Sequence, residues 1–368
     1  MAKLLRAIGL MSGTSLDGID VALIDTDGEG VVRRGASRNY PYPPEFRARL
    51  AAGLEEARQI RLREQRPGSL AALECELTER HGDAVRWFLS DAAGDAASID
   101  VIGFHGQTVL HRSAQHLTVQ LGDGAGLARQ TGIDVVHDLR AADVAGGGQG
   151  APLVPVYHQA LTAPHPERPI AVLNIGGVAN LTWIGRDGRL IAFDTGPGNA
   201  LIDDWMLRRC RVPVDRDGAT AARGRVDAAV LSTLLADRFF AAVPPKSLDR
   251  NAFSAAPLAH LSETDGAATL TAFTAASIAR ARAHLPEEPK LWIVCGGGRK
   301  NRTLMAAIAG EVSGAVAPAE AAGLDGDAIE AEAWAYLAVR SLRGLPISFP
   351  GTTGVARPLT GGVLARGR

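Results

Sequence analysis

The sequence predicts an α/β protein of two similar domains with a central cleft, and three observations carry that reading. The chain has 368 residues, more than one typical domain of roughly 100–200 residues and well suited to two. Short β-rich runs alternate with longer blocks rich in Ala, Leu, Glu and Arg at helical spacing, the pattern of sheets covered by helices. A three-strand meander followed by mixed helices and strands occurs twice, as a repeat of element order without a visible repeat of sequence.

The first meander comprises strands over 4–11, 19–25 and 31–37, the last two joined at Gly28-Glu29-Gly30 and closed by Pro41, Pro43 and Pro44. Helical spacing predicts helices over 45–63 and 70–92, broken at Pro67-Gly68. Strands follow over 99–104, 118–121 and 134–137, with a helix over 124–130 between the last two. After the glycine-rich stretch 145–150 and a helix over 153–161, the pattern restarts. Strands over 169–174, 180–184 and 190–193 are joined by Gly176-Gly177 and Asp187-Gly188. Helices over 200–209, 227–240 and 267–284, a strand over 291–294, a triple-glycine turn, and helices over 300–309 and around 327–342 complete the second half.

Composition removes several function classes. Lys+Arg is 39 and Asp+Glu is 40, a net charge of -1, which lacks the positive surplus that phosphate neutralisation by a nucleic-acid binder needs. Cys75, Cys210 and Cys295 are odd in number and far apart, which excludes a disulfide framework and argues against structural zinc. The apolar start is too short for a signal peptide, and no run approaches the roughly 18 apolar residues of a membrane helix. The expectation is a cytoplasmic protein with no membrane partner.

Candidate chemistry gathers at turns. Between the first two strands lies Gly13-Thr14-Ser15-Leu16-Asp17-Gly18-Ile19-Asp20. Its N–H groups and hydroxyls can cradle phosphate as a nest does, and Asp17 or Asp20 can hold Mg²⁺ through water, since Mg²⁺ prefers oxygen and keeps part of its hydration shell. The alternative is a polar hairpin with local Asp and Ser bonds. Gly176-Gly177 sits at the equivalent turn of the second half, and Gly296-Gly297-Gly298 follows a strand and opens a helix, a place suited to a nucleotide's sugar or α-phosphate. Asp194, in Phe193-Asp194-Thr195-Gly196-Pro197-Gly198-Asn199, reads as a carboxylate at a rigid strand end, where a general base is useful, or as a cap of the next turn. His105 and Gln107, in Gly103-Phe104-His105-Gly106-Gln107-Thr108, follow a strand, where α/β folds collect ligands. Arg140 and Asp143 lie in a polar loop beside the 146–150 glycines, and the planar fork of Arg140 suits a carboxylate. There is no Gly-Lys dipeptide for a Walker loop, no G-x-G-x-x-G and no G-x-S-x-G.

These motifs, extended to Gly9-Leu10-Met11-Ser12 and Asn174-Ile175-Gly176-Gly177-Val178-Ala179-Asn180, resemble the anhydro-N-acetylmuramic acid kinase family. Pro244-Pro245-Lys246-Ser247 and Gly326-Asp327-Ala328-Ile329-Glu330-Ala331 fit it as well, so the resemblance runs the length of the chain. It implies the actin/hexokinase/Hsp70-like ATPase fold, with ATPase-like domains over 1–140 plus a tail of about 345–368, and over 141–344. It implies ATP-dependent, Mg²⁺-assisted conversion of 1,6-anhydro-N-acetylmuramic acid and water to N-acetylmuramate 6-phosphate, a step of peptidoglycan recycling. ATP binding maps onto residues 13–20, with Gly176, Gly177 and Gly296–Gly298, and the catalytic base onto Asp194. The expected substrate contacts are His105, Gln107, Arg140 and Asp143; the expected metal ligands are Asp17 and Asp20; a homodimer is compatible with this scheme. Another kinase or an acyl or carbamoyl transferase of the same fold, or an ATP-driven sensor, are the alternatives.

Overall fold

The computed structural model describes residues 3–13, 15–250 and 252–367. It divides into two compact units, one taking the chain up to 163 together with everything from 328 onward, the other taking 164–327.

The first unit opens with an antiparallel meander of β1 (Leu5–Ser12), β2 (Gly18–Thr26) and β3 (Val32–Pro41). Helices α1 (Pro44–Ala57) and α2 (Leu70–Phe88) follow. Next come β4 (Val101–Arg112), β5 (Leu117–Leu121), α3 (Gly124–Thr131), β6 (Val135–His137), α4 (Ala141–Ala145) and α5 (Pro155–Thr162). In the second unit the meander is β7 (Ile170–Ile175), β8 (Val178–Ile184) and β9 (Leu190–Pro197). It continues through α6 (Ala200–Cys210), α7 (Ala228–Leu235), α8 (Glu263–Ala281), β10 (Leu291–Cys295), α9 (Arg302–Glu311) and β11 (Ala315–Pro318). The chain then re-enters the first unit as α10 (Ile329–Leu342), α11 (Pro350–Thr353) and β12 (Val363–Ala365).

The two sheets share one plan. In the first the order is β12-β6-β4-β1-β2-β3, with β4 parallel to β1 and β6 parallel to β4. In the second it is β11-β10-β7-β8-β9, with β10 parallel to both β7 and β11. Each is an antiparallel meander whose first strand is flanked by two parallel additions, the repeated element order read from the sequence. It is the arrangement expected of the actin/hexokinase/Hsp70-like ATPase fold.

Alternation along β1 decides what covers each face of the first sheet. Ile8 and Leu10 join a buried cluster with Phe46, Leu73, Leu77, Phe88 and Phe104, so that face is packed by α1 and α2. The residues between them, Ala7 and Gly9, point the other way, as period-two geometry requires, and meet α10. A Cβ on Gly9 would lie 1.8 Å from the Ala331 carbonyl oxygen, and one on Gly103 would lie 2.0 Å from that of Trp334. Gly9 and Gly103 are directly paired across β1 and β4, so together they form a flat patch on which the helix backbone rests.

This packing corrects the expected boundaries. The helix α10 belongs with the first unit because β1 and β4 seat it, and α5 goes with it because the Tyr157 hydroxyl donates to Glu332 at 2.8 Å. The boundaries therefore fall at 163/164 and 327/328 instead of 140/141 and 344/345. Two strands also run further than alternation suggested. His105 and Gln107 lie inside β4, which continues as a hairpin with β5 past a bulge, and Asp194 lies inside β9, paired with Asn180 of β8. Among the described residues no helix is long and apolar enough to cross a membrane.

The seating of α10 gives a direct test. Gly103→Ala should destabilise the protein by roughly 1–3 kcal/mol or more, the scale of an overpacked core, whereas Gly30→Ala, with no atom within 4 Å of the added carbon, should shift stability by less than about 0.5 kcal/mol. Thermal and urea unfolding midpoints of the two variants measure both.

Candidate active site

In the first unit the β1–β2 turn is held from inside. Ser12 is fully buried; its Oγ donates to Gln107 Oε1 at 2.6 Å and lies 2.8 Å from the Tyr42 hydroxyl. Gln107 Nε2 donates to the carbonyls of Gly13 at 3.2 Å and Thr108 at 3.3 Å. Both ends of Gln107 are therefore spent on holding the turn, which revises its expected role as a substrate contact. Leu16 takes a left-handed φ of 56°, and Leu16 and Ile19 sit in the apolar core, so their side chains anchor the turn and leave only their backbones for a ligand. The polar side of the turn carries Ser15, whose hydroxyl donates to Asp17 Oδ1 at 2.6 Å, and Asp20, whose Oδ1 accepts from Asn39 at 2.8 Å. Thr14 lies outside the described residues.

Asp17 and Asp20 were the expected metal ligands. Among the described residues no group of three or more His, Cys, Asp or Glu side chains could enclose a metal ion. Mg²⁺ does not need such a cage, since it is commonly held by one or two carboxylates, water and substrate phosphate. Both carboxylates act on the buried Tyr42 phenol, whose pKa is pushed up mainly by burial and further by Asp17 and Asp20. Asp17 and Asp20 supply carboxylate oxygens on the polar side of the turn, the donor chemistry that this mode of Mg²⁺ binding uses.

Further along the same sheet, His105 and Arg140 are built around Trp334 of α10. The His105 ring packs on the indole with centroids 4.4 Å apart, and the Arg140 guanidinium lies 5.0 Å from the indole centroid, within cation–π range. Arg140 Nε donates to His105 Nε2 at 3.1 Å and its Nη1 to the Gly150 carbonyl at 2.7 Å. Burial, reinforced by the Arg140 charge, holds His105 well below the ordinary imidazole range. Its ring is thus neutral, and because Nε2 accepts, the proton is on Nδ1, with the backbone of Ser12 and Gly106 bearing on the ring. Burial lowers Arg140 to about 10 against the opposing pull of Glu330 and Asp143, so it remains a cation at neutral pH. A cation and a neutral imidazole N–H on one aromatic floor suit an anionic, hydroxyl-bearing ligand. A cavity of about 150 Å³ borders His105, with Arg63, Arg66, Gln120 and Asp138 among its walls.

Asp143 does something else. It is 2% exposed, and its two oxygens accept from the Thr353 hydroxyl at 2.6 Å and the Gly150 N–H at 2.5 Å. It fastens the glycine loop to α11, so the expected substrate contact is revised to a loop anchor.

In the second unit Asp194 projects from β9. Its Oδ2 accepts the Leu248 N–H at 2.7 Å, and burial raises its pKa to about 6 against the lowering effect of that bond. The carboxylate is therefore poised between ionised and protonated near neutrality, the condition a general base needs. The Gly176-Gly177 turn is strapped to the loop after Asp194: Asn199 N–H donates to Gly176 O at 2.7 Å and Gly198 N–H to Gly177 O at 3.0 Å. Gly176 N–H itself donates to Val178 O at 3.2 Å, so this group is consumed within the hairpin. In the triple-glycine turn, Gly296 has φ 73°, and a Cβ there would meet Asn174 Oδ1 at 2.4 Å. A Cβ on Gly298 would strike the Ile175 side chain at 2.4 Å, whereas one on Gly297 would meet only Asn199 Nδ2, at 3.6 Å. Gly296 and Gly298 thus lock this turn against the end of β7, and Gly297 is the one with room beside it.

Sequence reasoning passed over several partners. Arg299 is buried and forms a fork to Asp327, Nη1 to Oδ1 at 2.9 Å and Nη2 to Oδ2 at 2.8 Å, which holds Asp327 at about 2. Trp334 and Leu248 act through tertiary contacts that no local pattern announces, and Lys246, in a motif the sequence does single out, shows its contacts only in the fold. Asp203 on α6 is raised to about 6 by burial and by Asp204 beside it. The larger cavity, about 620 Å³ against Arg238, Arg280, Arg282 and Phe240, includes none of the residues that the sequence singled out.

Known proteins resemble this chain along nearly its whole length. The family model described as anhydro-N-acetylmuramic acid kinase matches residues 5–366. A curated anhydro-N-acetylmuramic acid kinase of Rhizorhabdus wittichii is 58% identical over 367 residues, covering 100% of both chains. One from Agrobacterium fabrum is 53% identical over 372 residues, again covering 100% of both, and one from Rhodospirillum rubrum is 55% identical over 359 residues, covering 97% of this chain and 93% of that one. With the match running from β1 to β12, the chain belongs to the anhydro-N-acetylmuramic acid kinase family.

Proposed function

We propose that this protein opens 1,6-anhydro-N-acetylmuramic acid with water and transfers the γ-phosphoryl group of ATP to the O6 so released, giving N-acetylmuramate 6-phosphate and ADP for peptidoglycan recycling. The observation that carries the mechanism is Asp194: a carboxylate on a sheet strand, one oxygen fixed by Leu248 N–H, with burial raising its pKa to about 6.

The substrate explains why such a group is needed. In a 1,6-anhydro sugar O6 is tied to C1, so there is no free 6-hydroxyl to phosphorylate. Asp194 takes a proton from water as the water oxygen bonds to C1. The C1–O6 bonding pair passes to O6, which gains the charge needed to attack the γ-phosphorus as ADP departs. Positioning and charge stabilisation supply most of the catalysis of phosphoryl transfer. The backbone of residues 13–20 is the phosphate cradle in this reading. Asp17 and Asp20 would hold Mg²⁺, which neutralises phosphate charge when bound. Arg140, with His105 beside it, would receive the lactyl carboxylate and a sugar hydroxyl.

The assay is incubation of the protein with ATP and the anhydro-sugar. A sugar phosphate formed stoichiometrically with ADP is expected; slow ATP hydrolysis alone would remove the kinase reading. Asp194→Asn should bind both substrates and lose kcat by about 10² or more, the range of a deleted general base. The pH dependence follows from the direction of the shift. Asp194 works ionised, and its pKa is raised to about 6, so kcat should climb with pH through about 6 and level off above it. A rate already flat well below that pH would contradict the assignment.

A further inference from the structure

The segment Pro244-Pro245-Lys246-Ser247 has no task in the reaction above, yet it runs alongside the base. Asp194 N–H donates to the Lys246 carbonyl at 3.1 Å, and Leu248 N–H returns to Asp194 Oδ2 at 2.7 Å. Residues 246–248 thus form a strap that grips both the backbone and the carboxylate of one residue. Lys246 secures the strap. Its Nζ donates to the Phe239 carbonyl at 3.0 Å and stands 4.6 Å from the Phe239 ring centroid and 5.7 Å from that of Phe193, the residue preceding Asp194.

We propose that Lys246 is a positioning residue: by pinning residues 246–248 it keeps the Leu248 N–H on one oxygen of Asp194 and leaves the other oxygen to accept the proton of the attacking water. The proposal deepens the assignment of Asp194 as base and rests on it. The physical reason is that proton transfer needs the base within hydrogen-bond reach of its water, and a carboxylate free to turn about its last bond spends part of its time misdirected. Fixing one oxygen with a backbone donor, and the donor with a half-buried ammonium, removes that freedom before substrate arrives. The same bond favours the ionised carboxylate, so loosening it should raise the pH at which Asp194 ionises. The other charged or titratable groups bearing on this readout are Lys246 itself, His284, which meets Phe193 edge-on at 5.7 Å, and Asp203, which ionises at about 6 as well. The partner of Asp194 on β8 is the neutral Asn180.

Steady-state kinetics against pH on the full-length protein tests the proposal with three variants. Lys246→Met releases the strap, Leu248→Pro deletes the donor while keeping the lysine, and Lys246→Arg keeps the cation. Lys246→Met and Leu248→Pro should each lower kcat by about tenfold or more, with KM for both substrates within about threefold. Each should also move the acidic limb of kcat upward by roughly one pH unit, the worth of one hydrogen bond to a charged carboxylate. Lys246→Arg should recover most of the rate, and the shift should persist in an Asp203→Asn background. Circular dichroism should show the variants folded. Limbs that stay put in folded Lys246→Met and Leu248→Pro would overturn the proposal, as would a limb that moves in Lys246→Met alone, since the lysine charge and not the strap would then be the cause. Full activity in Asp194→Asn is a separate outcome and would remove the base itself.

Discussion

The contact on which the first unit depends is the backbone-to-backbone seating of α10 on Gly9 and Gly103. Because a Cβ at either position would lie within 2.0 Å of a helix carbonyl oxygen, the helix has almost no freedom in height above the sheet. That height places Trp334, and Trp334 is the surface on which both His105 and Arg140 rest. The chain of cause therefore runs from two glycines paired across β1 and β4 to the protonation state of an imidazole. The floor that packs His105 also buries it, and burial beside a cation keeps it neutral with its proton on Nδ1.

Three carboxylates show how environment assigns work to one side-chain type. Asp327 receives a full guanidinium fork from Arg299 and a further bond from Lys300, which keeps it ionised down to about 2 and unfit to hold a proton near neutrality. Asp143 has both oxygens occupied by Gly150 and Thr353, so its bonding capacity goes into loop structure. Asp194 has one backbone donor, on Oδ2, in a buried setting that raises it to about 6. Of the three, it alone combines a pKa near neutrality with an oxygen left over for chemistry, which is what general-base work demands.

Much of this was legible in the residues, and what was missed has a physical pattern. Alternation and turn glycines located both meanders, because period-two burial and turn chemistry are local properties. The motifs in strand order carried the family, and with it the reaction. Contacts between distant segments were not legible. Gln107 and Asp143 look like polar groups near strand ends, and only the fold reveals that Ser12, Gly13, Gly150 and Thr353 have already claimed them. The unit to which α10 belongs was misplaced for the same reason: the glycines that seat it are over two hundred residues away in sequence. Leu248 acts through its backbone N–H, so its side-chain identity carries no signal of the role.

The central claim is that water enters at C1 while O6 stays on the sugar and becomes the phosphoryl acceptor. Turnover in ¹⁸O-enriched water, with prompt borohydride reduction to trap the anomeric oxygen before exchange, reads this directly by mass spectrometry. The account predicts one ¹⁸O at C1, with the bridging ester oxygen and the transferred phosphoryl oxygens unlabelled. Label in the C6–O–P bridge or in the phosphoryl group would contradict it, because the acceptor oxygen or the attacked centre would then be a different one.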